Sequence, residues 1–116
     1  MNYMTALTEK LSRIHEELNK IEDTTFYHYR RPAKVKSEYG VWAEDGEQDS
    51  FNGDNIKLEQ QIHGTVDYFT LKEFNPVLDE IQEALQNVAP GAWSLLSVQY
   101  EDETNLIHYE WEFTVA

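Results

Sequence analysis

The sequence contains no cysteine, which excludes a disulfide framework, a thiolate nucleophile and a zinc–thiolate site. It has no apolar run of about 18 residues, the length a membrane-spanning helix needs, so no membrane partner is expected. The opening Met1-Asn2-Tyr3-Met4-Thr5 lacks the basic start and apolar core of a signal peptide, and the cytoplasm is the expected site of synthesis. There is no G-x-S-x-G turn and no glycine-rich phosphate loop. Carboxylates are abundant, but abundance is not pairing. The chain therefore reads as non-enzymatic, with no cofactor. Internal repeats and low-complexity tracts are also missing.

Basic residues are scarce. Nine lysines and arginines face 22 aspartates and glutamates, for a formal charge of −13. Seven of the nine (Lys10, Arg13, Lys20, Arg30, Arg31, Lys34, Lys36) fall in residues 1–36 with five acids, a net of +2. Residues 37–116 hold only Lys57 and Lys72 against 17 acids, a net of −15. Such an acidic body repels phosphate backbones and argues against direct nucleic-acid binding. The asymmetry suggests that copies or partners dock basic end to acidic face. A merely well-solvated surface is the plainer alternative.

What is present is organised around residues 58–88. Ile62, Gly64, Val66 and Tyr68 alternate with His63, Thr65 and Asp67, the period of a strand with one buried face. The period then changes. Phe74, Val77, Leu78, Ile81, Leu85 and Val88 recur at threes and fours, predicting a helix with one apolar stripe. Asn75 is placed to cap it and Pro76 to open it, while Pro90-Gly91 stops it. Upstream, Met4, Leu7, Leu11, Ile14, Leu18 and Ile21 predict a helix over residues 4–22, packed on its own domain rather than in a coiled coil under three heptads long.

Between the helices, Phe26-Tyr27-His28-Tyr29-Arg30 is β-rich and Pro32 closes it. A basic connection leads to a second strand over residues 38–44, followed by a polar loop over residues 45–55. The chain ends in a hairpin, with Trp93 to Tyr100 running up and Leu106 to Val115 returning. Ile107, Tyr109, Trp111, Phe113 and Val115 mark the apolar face of the returning strand. The expected fold is a single α+β domain over residues 1–116. Its core is one mainly antiparallel five-stranded sheet with two helices packed on one face, in the order α-β-β-β-α-β-β.

Two metal readings fail on spacing. Aligning Asp45 with the start of a calcium loop puts Ser50 where glycine belongs and Ile56 where glutamate belongs. His63 and Asp67 share a strand face but lie about 13 Å apart at roughly 3.3 Å per residue. His108 and Glu110 would need His63 on the adjoining strand, and half-exposed polar-face histidines are the better reading. No metal site is assigned. The three tryptophans and seven tyrosines exceed what so small a core needs, which places some of them at an interface.

Several of these stretches recur together in a known pattern. A β-rich strand ending in proline leads to Tyr39-Gly40-Val41-Trp42-Ala43-Glu44, then a polar loop with Gly53-Asp54-Asn55. Gly64-Thr65-Val66-Asp67-Tyr68-Phe69-Thr70, a helix, and a tryptophan-led hairpin with Glu101-Asp102-Glu103-Thr104-Asn105 and Tyr109-x-Trp111-x-Phe113 follow. In order and pattern, over nearly the whole chain, this resembles the small tail-terminator, or tail-to-head joining, proteins of long-tailed phages and of prophages in Gram-positive bacteria.

The resemblance implies a ring-forming virion protein, typically a hexamer, that caps the head-proximal end of the tail tube and ends its polymerisation. Its implied partners are further copies of itself, the tail tube protein and a head–neck connector protein. A neck or head-completion protein of similar size is the competing role within a virion. Outside it, the alternative is a small cytosolic module that binds a ligand or peptide. The matching residues are scaffold-like and bring no functional site with them. From charge placement alone, Arg30, Arg31, Lys34 and Lys36 are candidates for one side of an interface. Glu44, Asp45, Glu47, Asp49 and Asp54 are candidates for the other side or for the tube.

Overall fold

The computed structural model describes residues 6–48, 52–53, 56–57 and 59–116. The elements run α1 (Leu7–Asn19), β1 (Thr25–His28), β2 (Tyr39–Glu47), β3 (Asn52–Gly53), β4 (Ile56–Lys57), β5 (Ile62–Thr70), α2 (Val77–Val88), β6 (Trp93–Glu101) and β7 (Leu106–Val115). Five strands form one sheet in the order β1-β2-β5-β7-β6, and β3 with β4 makes a separate small ribbon. Three of the sheet's four pairings are antiparallel. The fourth, β1 with β2, is parallel, with Thr25 opposite Tyr39 and His28 opposite Trp42.

That parallel pair shapes one edge of the molecule. Parallel neighbours need the chain to travel back to its starting end, usually through a helix. Here β1 spans four residues, so the return is short and residues 29–38 make it without a helix. Tyr29 leaves the strand at φ +75°, with its N–H still bonded to the Trp42 carbonyl at 2.8 Å.

The sheet's period-two pattern is complete in β5, where Ile62, Gly64, Val66, Tyr68 and Thr70 are all buried and the residues between them are half-buried. Their partners Trp42 and Trp111 flank Val66 and share its face. Both helices lie on this side, and Ile14, Leu18, Ile81, Leu85, Val66, Trp111, Phe113 and Val115 form the centre of the core. Helix α1 packs along α2, as a helix serving its own domain. Its stripe is shifted from expectation. Leu7 is 43% exposed, while Lys10 is buried. Met4 lies outside the described residues.

Helix α2 starts as its cap residue dictates. Asn75 Oδ1 accepts the Val77 N–H at 3.0 Å, and the Asn75 carbonyl accepts the Leu78 N–H at 3.1 Å. This start leaves Phe74 off the helix. It sits at φ +55° and is 92% exposed, so the apolar stripe begins at Val77. The expected loop after residue 44 is also partly strand, since β2 continues to Glu47 past a register shift between Glu44 and Gly46.

One carboxylate ties the end of this architecture together. Glu38 accepts the Thr70 hydroxyl at 2.7 Å, the Leu71 N–H at 2.9 Å and the Asn75 amide at 3.3 Å. The strand end of β5, the turn after it and the cap of α2 therefore all hang on a residue that immediately precedes β2.

Candidate functional site

The basic connection between β1 and β2 is held in a defined pose. Arg31 donates from one guanidinium nitrogen to the carbonyls of Pro32 and Ala33, each at 3.2 Å, and its charge lies 5.7 Å from the centre of the Tyr39 ring. The Val35 N–H closes a turn onto the Pro32 carbonyl at 3.1 Å. Arg30, Arg31, Lys34 and Lys36 are all exposed.

Under Arg31 a ladder of rings crosses the helix-free face of the sheet. Tyr39 stacks on Phe69 at 4.7 Å, and Phe69 on His108 at 4.2 Å. The register sets this row directly, because Tyr39 pairs with Phe69 and Phe69 with His108. Between the ladder and the basic segment runs an open groove of about 270 Å³, lined by Tyr29, Arg30, Arg31, Tyr39, Val41, Asp67 and Phe69.

The acids proposed as the complementary side are engaged differently. Glu44 is bonded by His28 at 2.7 Å and by the Tyr29 hydroxyl at 2.6 Å. Partial burial pushes the Glu44 pKa up, but the bonds from Tyr29 and His28 outweigh it and hold the carboxyl below its ordinary value. Asp45 meets His63 Nδ1 at 2.7 Å, and Glu112 meets the other ring nitrogen at 3.2 Å. Burial of His63 works against its protonation, yet the two carboxylates win and raise its pKa. Glu47 is exposed and accepts from the Gln60 amide at 3.2 Å. Asp49 and Asp54 lie outside the described residues, as does part of the calcium-loop alignment.

The histidines do not converge. His63 pairs with Thr114 and His108 with Phe69, at opposite ends of the β5–β7 ladder. His108 bonds Asp67 at 2.7 Å instead. Among the described residues no group of three or more histidines and carboxylates is arranged to hold a metal ion.

No protein-family model matches this chain, and no curated protein matches it significantly.

Two features of these surfaces escape sequence inspection. The ring ladder needs the strand register. The exposed apolar residues of β6 (Leu95, Leu96, Val98 and Tyr100, between 45% and 60% exposed) have the spacing of an ordinary half-buried strand. Their exposure follows from where α2 ends its cover.

Proposed function

We propose that this protein is a phage or prophage virion-assembly protein that caps the tail tube, ends its polymerisation and joins tail to head. The observation that carries the reading is the separation of charge across the sheet. The cationic segment is fixed beside β1 at one edge, while residues 73–116, which supply α2, β6 and β7, contain nine acids and no lysine or arginine. Different surfaces at opposite edges suit a heterologous contact, which repeats from copy to copy and closes into a ring when the rotation allows. With the small β3–β4 ribbon set aside, the helices and sheet strands run α-β-β-β-α-β-β, the order expected from the sequence.

In this role the exposed cations Arg30, Arg31, Lys34 and Lys36 bind a neighbouring copy, the tube protein or the connector. The acidic remainder discourages adhesion to DNA passing through the ring. The decisive experiment is electron microscopy of particles made after deletion of the gene from its phage or prophage. Overlong tails unattached to filled heads are expected. Normal virions would remove the reading and turn attention to a ligand-binding module. Reversing Arg30 and Arg31 to glutamate is expected to abolish assembly while the monomer stays folded. Unchanged assembly would clear this segment of any part in it.

A further inference from the structure

We propose that the exposed side of β6, with the acids around it, is the surface that receives the basic segment of a second copy of this chain. The inference rests on the reading that copies associate head to tail. It replaces the acids after residue 43 with a different acceptor. Glu44 and Asp45 make poor acceptors because His28, Tyr29 and His63 already occupy their carboxylates.

Strand β6 has the features of a surface built to be covered. Among the described residues it pairs with β7 only, so one side of its nine-residue backbone faces outward. It carries no lysine and no proline, the residues that commonly guard an open edge. A register shift between Leu95 and Ser97 is its one irregularity. Leu95, Val98 and Tyr100 pair with Trp111, Tyr109 and Ile107, which puts them on the helix-bearing face. They are nonetheless 45%, 52% and 60% exposed.

Helix width accounts for this. Two helices about 10 Å across cover about four strands spaced at roughly 4.8 Å. Helix α2 lies over β7, where Gln82 accepts the Trp111 indole N–H at 3.1 Å, and it reaches β6 at one end, where Gln86 accepts the Trp93 indole N–H at 2.8 Å. Among the described residues no helix covers the apolar face of β6 beyond Trp93, where Leu95, Val98 and Tyr100 stay exposed.

The frame of this strip selects its occupant. Asp102 and Glu103, in the hairpin two and three residues after Tyr100, are exposed, and residues 73–116 contain no lysine or arginine. Glu80 and Glu83 lie on the other flank of α2, in a groove with Glu17 and Lys20. An apolar strip with acids at its hairpin end fits a partner that presents cations on an exposed, partly apolar loop. Residues 29–36 are such a loop, turned at Pro32–Val35, with four cations and a Tyr29 that is 60% exposed. They sit across the sheet from β6, at the opposite edge, so the match is made between copies and not within one.

The absence of cysteine makes the test direct. Chains carrying Ala33→Cys and chains carrying Gln99→Cys are mixed at millimolar concentration with a short bis-maleimide. Both positions are exposed. The mixed 33–99 product is expected several-fold above either like-with-like product and above a control pairing of Ala33→Cys with Glu22→Cys. It should fall when Arg30 and Arg31 are reversed to glutamate, and return when the partner carries Asp102→Lys and Glu103→Lys. A 33–99 yield no greater than the control, or insensitivity to both reversals, overturns the proposal. The gene-deletion phenotype reports on the tail role separately. Normal virions with intact cross-linking would leave the interface standing without that role, and long tails with no cross-link would do the reverse.

Discussion

Replacing Gly64 with alanine tests the packing logic of the whole sheet. Gly64 lies in the central strand β5, between Glu44 on β2 and Phe113 on β7. A β-carbon added there would stand 2.5 Å from the Ala43 carbonyl oxygen and 2.6 Å from Cζ of Phe113. Ordinary contact begins near 3.4 Å, so each neighbour would have to yield by most of an ångström. Neither can do so cheaply. Ala43 belongs to β2, which is laddered to β5, and the Phe113 ring is fully buried. Overpacking of this kind costs about 1–3 kcal/mol. The loss of backbone freedom in the unfolded chain returns only about 0.4–1 kcal/mol. We therefore expect Gly64→Ala to lose about 1–2 kcal/mol net. With a urea slope of about 1–3 kcal/mol per molar for a small domain, the midpoint should fall by roughly 1 M with the slope unchanged. Phe113→Leu should cost less in the Gly64→Ala background than alone, since the two changes relieve each other. An equal or higher midpoint for Gly64→Ala would refute the claim that the Phe113 ring and the Ala43 carbonyl require the glycine.

Other expectations follow from the same geometry. Glu38→Ala removes the acceptor shared by Thr70, Leu71 and Asn75 and should cost about 2–3 kcal/mol in chemical denaturation. A loss below a few tenths would dismiss Glu38 as an organiser. Phe74→Asn should leave the protein as stable or slightly more so, by up to about 1 kcal/mol, because Asn tolerates the φ of +55° better and the ring buries nothing there; a clear fall in Tm would contradict this. His63 has a folded pKa raised above its ordinary value, so its contribution is fully present below about pH 6.5 and is lost as pH rises through the folded value. His63→Gln should therefore narrow the stability gap to wild type between about pH 6 and pH 9, by no more than about 1 kcal/mol. A gap that widens with pH would reverse the assignment.

Strand periodicity carried most of the fold. The alternation from Ile62 to Thr70 and from Ile107 to Val115 locates β5 and β7 and their buried faces, and Asn75-Pro76 marks the start of α2. The same cap explains the misplacement of Phe74. Its spacing fits the stripe, but the capping bond from Asn75 begins the helix after it and turns the chain to positive φ. Interactions that depend on register were not legible. Glu38 reaches Thr70 across 32 residues, and the Arg31–Tyr39–Phe69–His108 row needs three strands in alignment. The exposed cations beside β1 were legible from composition alone. The involvement of Glu44 and Asp45 with their own histidines was not, because charge counting is blind to partners. Nor was the exposure of β6, since period-two alternation reports which way a side chain points and not whether a helix lies above it.

The unequal security of the strands has a consequence for how the molecule opens. β5 is laddered on both sides along its length, whereas among the described residues β1 is laddered through four residues on one side, with Phe26 as its anchor in the core. Amide hydrogens of β5 and β7 should exchange with solvent only on global unfolding, and those of β1 through a smaller, cheaper opening. The basic segment is joined directly to β1 and would be carried along by that opening. If β1 exchanges before β5 and β7, the cationic arm has a route to release and reseat while the rest of the sheet stays shut.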